Sequence, residues 1–112
     1  MDPKYNLWIE HEGAVVLSPW RVALLEAIDA AGSISAAAEQ LKIPYRRAWE
    51  KVQEIEIGLG YKVVDTAVGG AGGGGAHLTP AGRQAIARFR AFAEGFEAYV
   101  RQRYEAAFSR DA

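Results

Sequence analysis

Gly32-Ser33-Ile34-Ser35-Ala36-Ala37-Ala38-Glu39-Gln40-Leu41-Lys42-Ile43-Pro44-Tyr45-Arg46-Arg47-Ala48-Trp49, continuing to Glu56, reads as two short helices joined by a tight turn. Ser33 can cap the first helix, whose inner face of Ile34, Ala37, Ala38 and Leu41 is small in the middle, where a crossing helix backbone must come close. The turn falls at Lys42-Ile43, and Pro44 favours a fresh helix start. Ala48, Val52, Ile55 and Leu59 then recur at helical spacing as a buried stripe. The opposite face carries Arg46, Trp49, Glu50 and Gln53, with Tyr45 and Arg47 at its leading end. This is the pattern of a helix-turn-helix, and it predicts a recognition helix over 44–58.

Working outward, Leu7-Trp8-Ile9-Glu10 and Ala14-Val15-Val16-Leu17 are β-prone runs separated by His11-Glu12-Gly13, which predicts a β-hairpin. Ser18 and Pro19 then mark a helix start, Trp20, Leu24, Ala27, Ile28 and Ala31 give it an apolar stripe, and Gly32 gives it a stop. On the other side, Tyr61–Asp65 and His77-Leu78 flank a glycine run and predict a second hairpin, a wing over 66–78. Thr79 and Pro80 open a long helix expected over 79–108, with Gly82 and Gly95 the strongest breakers inside it. Ile86, Phe89, Phe92, Ala93, Phe96, Tyr99 and Val100 form an apolar stripe on it that a single copy would leave wet, so they are expected to be a dimer interface. The fold class is therefore mainly α with small β elements: one winged helix-turn-helix domain over 1–112, with an N-terminal β-hairpin and a long C-terminal dimerisation helix.

The chain has 112 residues, half of them hydrophobic, which suits one domain with a core of its own. Its 13 basic and 14 acidic side chains leave a formal charge of −1, so any attraction to nucleic acid comes from local placement. Lys42, Arg46, Arg47 and Lys51 do cluster at the second helix, with only Glu50 among them. The absence of cysteine excludes disulfides, thiolate metal sites and thiol catalysis. The amino terminus lacks the features of a signal peptide and no run is long enough for a membrane span, so a cytoplasmic protein with no membrane partner is expected.

Double-stranded DNA is the expected partner. Tyr45, Arg46, Trp49, Glu50 and Gln53 are placed to face the major groove, where arginine can take guanine, glutamine adenine, and glutamate cytosine N4. Arg47 and Lys51 are placed to reach phosphates. Ser33 and Ser35 sit at a helix amino terminus suited to a phosphate, although Ser33 is at least as well explained as a cap. Gly72, Gly73 and Gly74 allow a wing to approach the backbone closely, and His77 is its nearest polar side chain, or merely borders it. The run from Gly70 to Gly75 also matches G-x-G-x-x-G, but no βαβ unit or acidic ribose ligand follows. No Gly-Lys-Ser/Thr follows either, which excludes a P-loop. His11 and His77 are the only histidines and lie far apart, and the carboxylates are scattered, so no catalytic residue, metal or cofactor is expected and the protein is read as a non-enzyme.

Ala37-Ala38-Glu39-Gln40-Leu41 with Ile43, Ala48, Val52 and Ile55-Glu56, and later Leu78-Thr79-Pro80-Ala81-Gly82, resembles the helix-turn-helix of LysR-type bacterial regulators. Gly32-Ser33-Ile34-Ser35, Tyr45-Arg46-Arg47-Ala48-Trp49 and the wing from Thr66 to Ala76 are similar, more narrowly, to the DNA-binding domain of ModE-type molybdate-responsive regulators, over roughly Leu7 to Val100. The resemblance implies a dimeric, DNA-binding transcriptional regulator. Full-length ModE regulators continue into molybdate-binding domains while this sequence stops at Ala112, so it implies the DNA-binding half without the sensor and leaves room for a separate sensor protein as a further partner. The contrasting expectation is a dimeric protein-interaction module with the same fold and little DNA affinity. A third, with less behind it, is molybdate held at the dimer interface, for which the sequence displays no converging donors.

Overall fold

The computed structural model describes residues 1–67 and 75–109. The chain opens with an antiparallel hairpin, β1 (Ile9–His11) and β2 (Ala14–Leu17), in which His11 pairs with Ala14 and the register shifts between Ile9 and Glu10. Glu12 and Gly13, both at positive φ, make the two-residue turn whose twist suits a hairpin. β1 begins two residues later than the expected strand, so Leu7 and Trp8 precede the ladder.

Three helices follow: α1 (Pro19–Ala31), α2 (Ile34–Leu41) and α3 (Tyr45–Leu59). The capping signals act as expected. The Ser18 hydroxyl accepts from the Arg21 amide at 3.1 Å, Pro19 is at the first helical position, and Gly32 closes α1. The Ser33 hydroxyl accepts from the Ala36 amide at 3.0 Å, and Lys42 turns the chain with φ 58° before Pro44 leads into α3. Leu24, Leu25 and Ile28 of α1, Ala37 and Ala38 of α2, and Ala48, Val52 and Ile55 of α3 meet in one core. The expected inner face of α1 is corrected at Trp20, which is exposed, while Val22 and Leu25 turn inward instead.

The wing is β3 (Val64–Ala67) paired with β4 (Gly75–Leu78), in antiparallel register Val64 with Leu78 and Thr66 with Ala76. Its base is fixed on three sides. The Ala76 amide donates to the Gly32 carbonyl at 2.8 Å, the Val63 and Val64 amides donate to the Glu56 carboxylate of α3, and the Leu78 amide donates to Asp29 of α1. Thr79 caps α4 (Pro80–Ala93) through the Gly82 amide and donates its hydroxyl proton to the Lys62 carbonyl at 2.8 Å. Gly82 is required here, because a Cβ at that position would lie 2.4 Å from the Val63 carbonyl oxygen.

The long C-terminal helical segment is present, and it is interrupted at Glu94-Gly95. Gly95 has φ 86°, a conformation that side-chain-bearing residues rarely adopt, and α5 (Phe96–Ala107) starts beyond it. None of the residues of α5 is buried. The radius of gyration, 17.4 Å, exceeds the roughly 13 Å of a compact chain near this length, and the extents are 66 × 27 × 23 Å. No helix among the described residues is long and apolar enough to cross a membrane.

Candidate nucleic-acid interface

Three separate stretches of chain converge at the start of the second helix of the motif. A cleft of about 200 Å³ is lined by Ser33 and Ser35 from α2, Tyr45 from α3, and Thr66, Ala67 and Ala76 from the wing strands. The packing of α2 on α3 and of the wing base on α1 brings them together, since neither element alone spans the gap. Ser33 is committed to its cap, as the simpler expectation had it, whereas Ser35 is exposed.

Along α3, Ala48, Val52 and Ile55 face the core and leave the opposite side to solvent. Tyr45 is 54% and Trp49 45% exposed, so both rings present apolar surface to solvent on this side. Arg46 extends beside them, 88% exposed at its side chain, with Nε donating to the Glu50 carboxylate at 3.2 Å. Arg47 is exposed and has no side-chain partner among the described residues. Gln53 is half-buried at the edge of this face.

Lys51 lies on another flank of the helix. It is half-buried and donates to Glu54 at 3.4 Å, and Glu54 also accepts from Arg21 of α1 at 2.7 Å. Partial burial pushes the Glu54 carboxyl up, but the Arg21 hydrogen bond and the Lys51 and Arg21 charges outweigh it and bring it below its ordinary value. Arg21 itself is 8% exposed. No local signal announced this pairing, because its partner stands 33 residues away.

At the wing, His77 is exposed and faces Asp65 across the ladder, so the cation-poor edge also carries an acid. Gly72, Gly73 and Gly74 lie outside the described residues. Behind the wing, Asp29 accepts from the Leu78 amide at 3.0 Å and from the two terminal guanidinium nitrogens of Arg83, Nη1 and Nη2, at 2.9 and 3.2 Å. The Leu78 amide, aided by Arg83 against a smaller desolvation effect, holds the Asp29 carboxyl below its usual range. Sequence reasoning missed Asp29 and Arg83, which join α1, the wing and α4 only in three dimensions.

Of the residues expected between two copies, Ile86 and Phe89 belong to the chain's own core and are 5% and 4% exposed. Ala93 packs at the edge of that core and Val100 is half-buried. Phe92, Phe96 and Tyr99 remain exposed, and Phe92 meets Phe96 edge to face at 6.0 Å across the helix break. Among the described residues, no cluster of His, Cys, Asp or Glu could hold a metal ion.

Residues 21–83 match the model of the bacterial regulatory helix-turn-helix proteins of the LysR family. The molybdenum-pterin-binding protein MopB of Rhodobacter capsulatus is 51% identical over 75 residues, 67% of this chain and 28% of that protein. The DNA-binding transcriptional dual regulator ModE of Escherichia coli K12 is 35% identical over 86 residues, 77% of this chain and 33% of its own length. ModE of Yersinia pestis is 36% identical over the same shares. The chain thus spans about a third of the length of these curated relatives. The matched residues are those that build the motif and its wing, and the chain belongs to the LysR family of bacterial regulatory helix-turn-helix proteins.

Proposed function

We propose that the chain binds duplex DNA as a homodimer, with α3 in the major groove, the wing along the backbone, and the exposed face of α4 and α5 joining the copies. The observation that carries this reading is the solvent-facing Tyr45, Arg46 and Trp49 side of α3, set beside the cleft of Ser35 and the wing strands. Arg46 and Gln53 are the candidates for base edges, Arg47 for a phosphate, and Ser35 with the first turn of α2 for a second phosphate. Lys51, tied to Glu54, serves better as a support of the helix than as a free phosphate contact. Phe92, Phe96 and Tyr99 are the parts of the apolar stripe that a second copy would cover. Two recognition helices related by a two-fold axis would read half-sites about one helical turn apart, on the order of 34 Å, or a multiple of it.

Relatives named as molybdenum transport and molybdenum-pterin-binding proteins make the promoters of molybdenum-handling genes the natural operators to try first. The deciding experiment is selection of DNA from a random pool, followed by affinity for the recovered site at two salt concentrations. An inverted repeat bound more tightly than scrambled DNA, with affinity falling steeply as salt rises, is the expected result. A pool without enrichment would favour the interaction module of the same fold.

A further inference from the structure

A second cleft, of about 580 Å³, lies where the segment before β1, Val15 of β2, the start of α1 and the flank of α3 meet, apart from the cleft beside the wing. Trp8 and Trp20 line it, 45% and 40% exposed, together with Asn6, Arg21 and Lys51. Its size falls in the range of small-molecule sites. The lining holds two cations and no carboxylate. Glu54 lies behind these cations and accepts from both, and Glu10 accepts from the Trp8 indole at 2.7 Å. Even so, one donor is left over: Arg21 is more than nine-tenths buried and its Nη1 has no hydrogen-bond partner. An enclosed guanidinium nitrogen without an acceptor is costly, and such a group calls for an explanation. The Trp20 indole N–H also has no hydrogen-bond partner among the described residues.

We propose that this cleft binds a small aromatic carboxylate. The indoles of Trp8 and Trp20 offer flat apolar walls to a planar ring. The carboxylate supplies, once the Arg21 side chain turns to present Nη1 to the cleft, the acceptor that this nitrogen lacks, with the Lys51 ammonium adding charge. Inorganic anions lack the ring and aromatic alcohols lack the charge, so neither satisfies both parts of the cleft. Because Arg21 and Lys51 also donate to Glu54 on α3, an occupant would sit against the flank of that helix.

The test uses indole N–H resonances of the intact chain, which has three tryptophans, during titration with 1-naphthoate, benzoate, 1-naphthalenemethanol and inorganic phosphate. Saturable shifts of the Trp8 and Trp20 signals by the two carboxylates, with Trp49 unmoved, are expected. Trp20→Leu and Arg21→Lys should each weaken naphthoate binding at least fivefold. The first alters an exposed side chain and so keeps the test meaningful if the second variant is poorly folded. Equal shifts by phosphate would reduce the cleft to a cationic patch, equal shifts by the alcohol would reduce it to an apolar one, and no saturation by 10 millimolar (on the order of 3 kcal/mol of binding) would overturn the proposal. None of these readouts involves DNA, so their failure is separate from failure of the DNA-binding reading.

Discussion

Gly82 shows how far one methyl group can decide whether an element docks. A Cβ there would meet the Val63 carbonyl oxygen, which is backbone and cannot rotate away. Gly82→Ala is therefore expected to cost on the order of 2 kcal/mol in urea unfolding, despite alanine's better helix propensity. At Arg46 the competing magnitudes are also separable. Its exposed pair with Glu50 contributes about 0.3–0.5 kcal/mol, whereas a bidentate base contact is worth about 1–3 kcal/mol, so the base wins when DNA arrives. Arg46→Ala should lower affinity for the selected site about tenfold or more while leaving the melting temperature within a degree or two, and an unchanged affinity would remove Arg46 from the contacts. Residues of this kind differ in how well sequence reveals them. Tyr45, Arg46 and Trp49 were legible because an apolar stripe of known phase leaves its opposite face defined. Trp20 was not, since a helix start is covered or bared by whatever packs on it, and there Val22 and Leu25 take the inner side. Arg21 gave no signal at all, its acceptor lying on another helix.

Elements were legible where their ends are set by local chemistry. Ser18, Ser33 and Thr79 each cap the helix that follows through an amide three residues on, and that relation is written in consecutive residues. Ser33→Ala should accordingly cost about 1 kcal/mol of stability, with no cost pointing to water as an adequate replacement for the cap. The seating of the wing was not legible, because Asp29 and Gly32 reach it from more than forty residues away and Glu56 reaches it across the end of α3. Asp29 makes that seating sensitive to acid. Its folded carboxyl titrates below the ordinary value of about 3.9, so its stabilisation is present above that pH and is lost as pH falls through the lower folded value. Asp29→Asn should be less stable than the parent at pH 7 and should show a shallower loss of melting temperature between pH 5 and 2. Parallel acid limbs in the two proteins would show that Asp29 does not control the transition.

At the scale of the whole molecule, the open question is what covers the aromatic side of the C-terminal segment. Since no residue of α5 is fully buried within one chain and Phe96 is among the exposed ones, Phe96→Glu should leave the fold intact yet shift sedimentation from dimer to monomer at micromolar concentration. Cooperative binding to an inverted repeat should disappear with it. A parent protein that sediments as a monomer across that range would refute the proposed assembly. The apolar stripe was legible in the sequence but its division was not: Ile86 and Phe89 lie in the chain's own core while Phe92 and Phe96, on the same stripe, are exposed, a difference that only tertiary packing decides. The interruption at Gly95 sets the angle between α4 and α5 and is the point about which any change of that angle would pivot. From that pivot α5 extends about 18 Å, so a tilt of about 10° carries its far end about 3 Å, close to the roughly 3.4 Å step between neighbouring base pairs. In the proposed dimer a single pair of backbone angles thus sets the ruler by which two half-sites are measured, and operators differing by one base pair in spacing become distinguishable at a residue that touches no DNA.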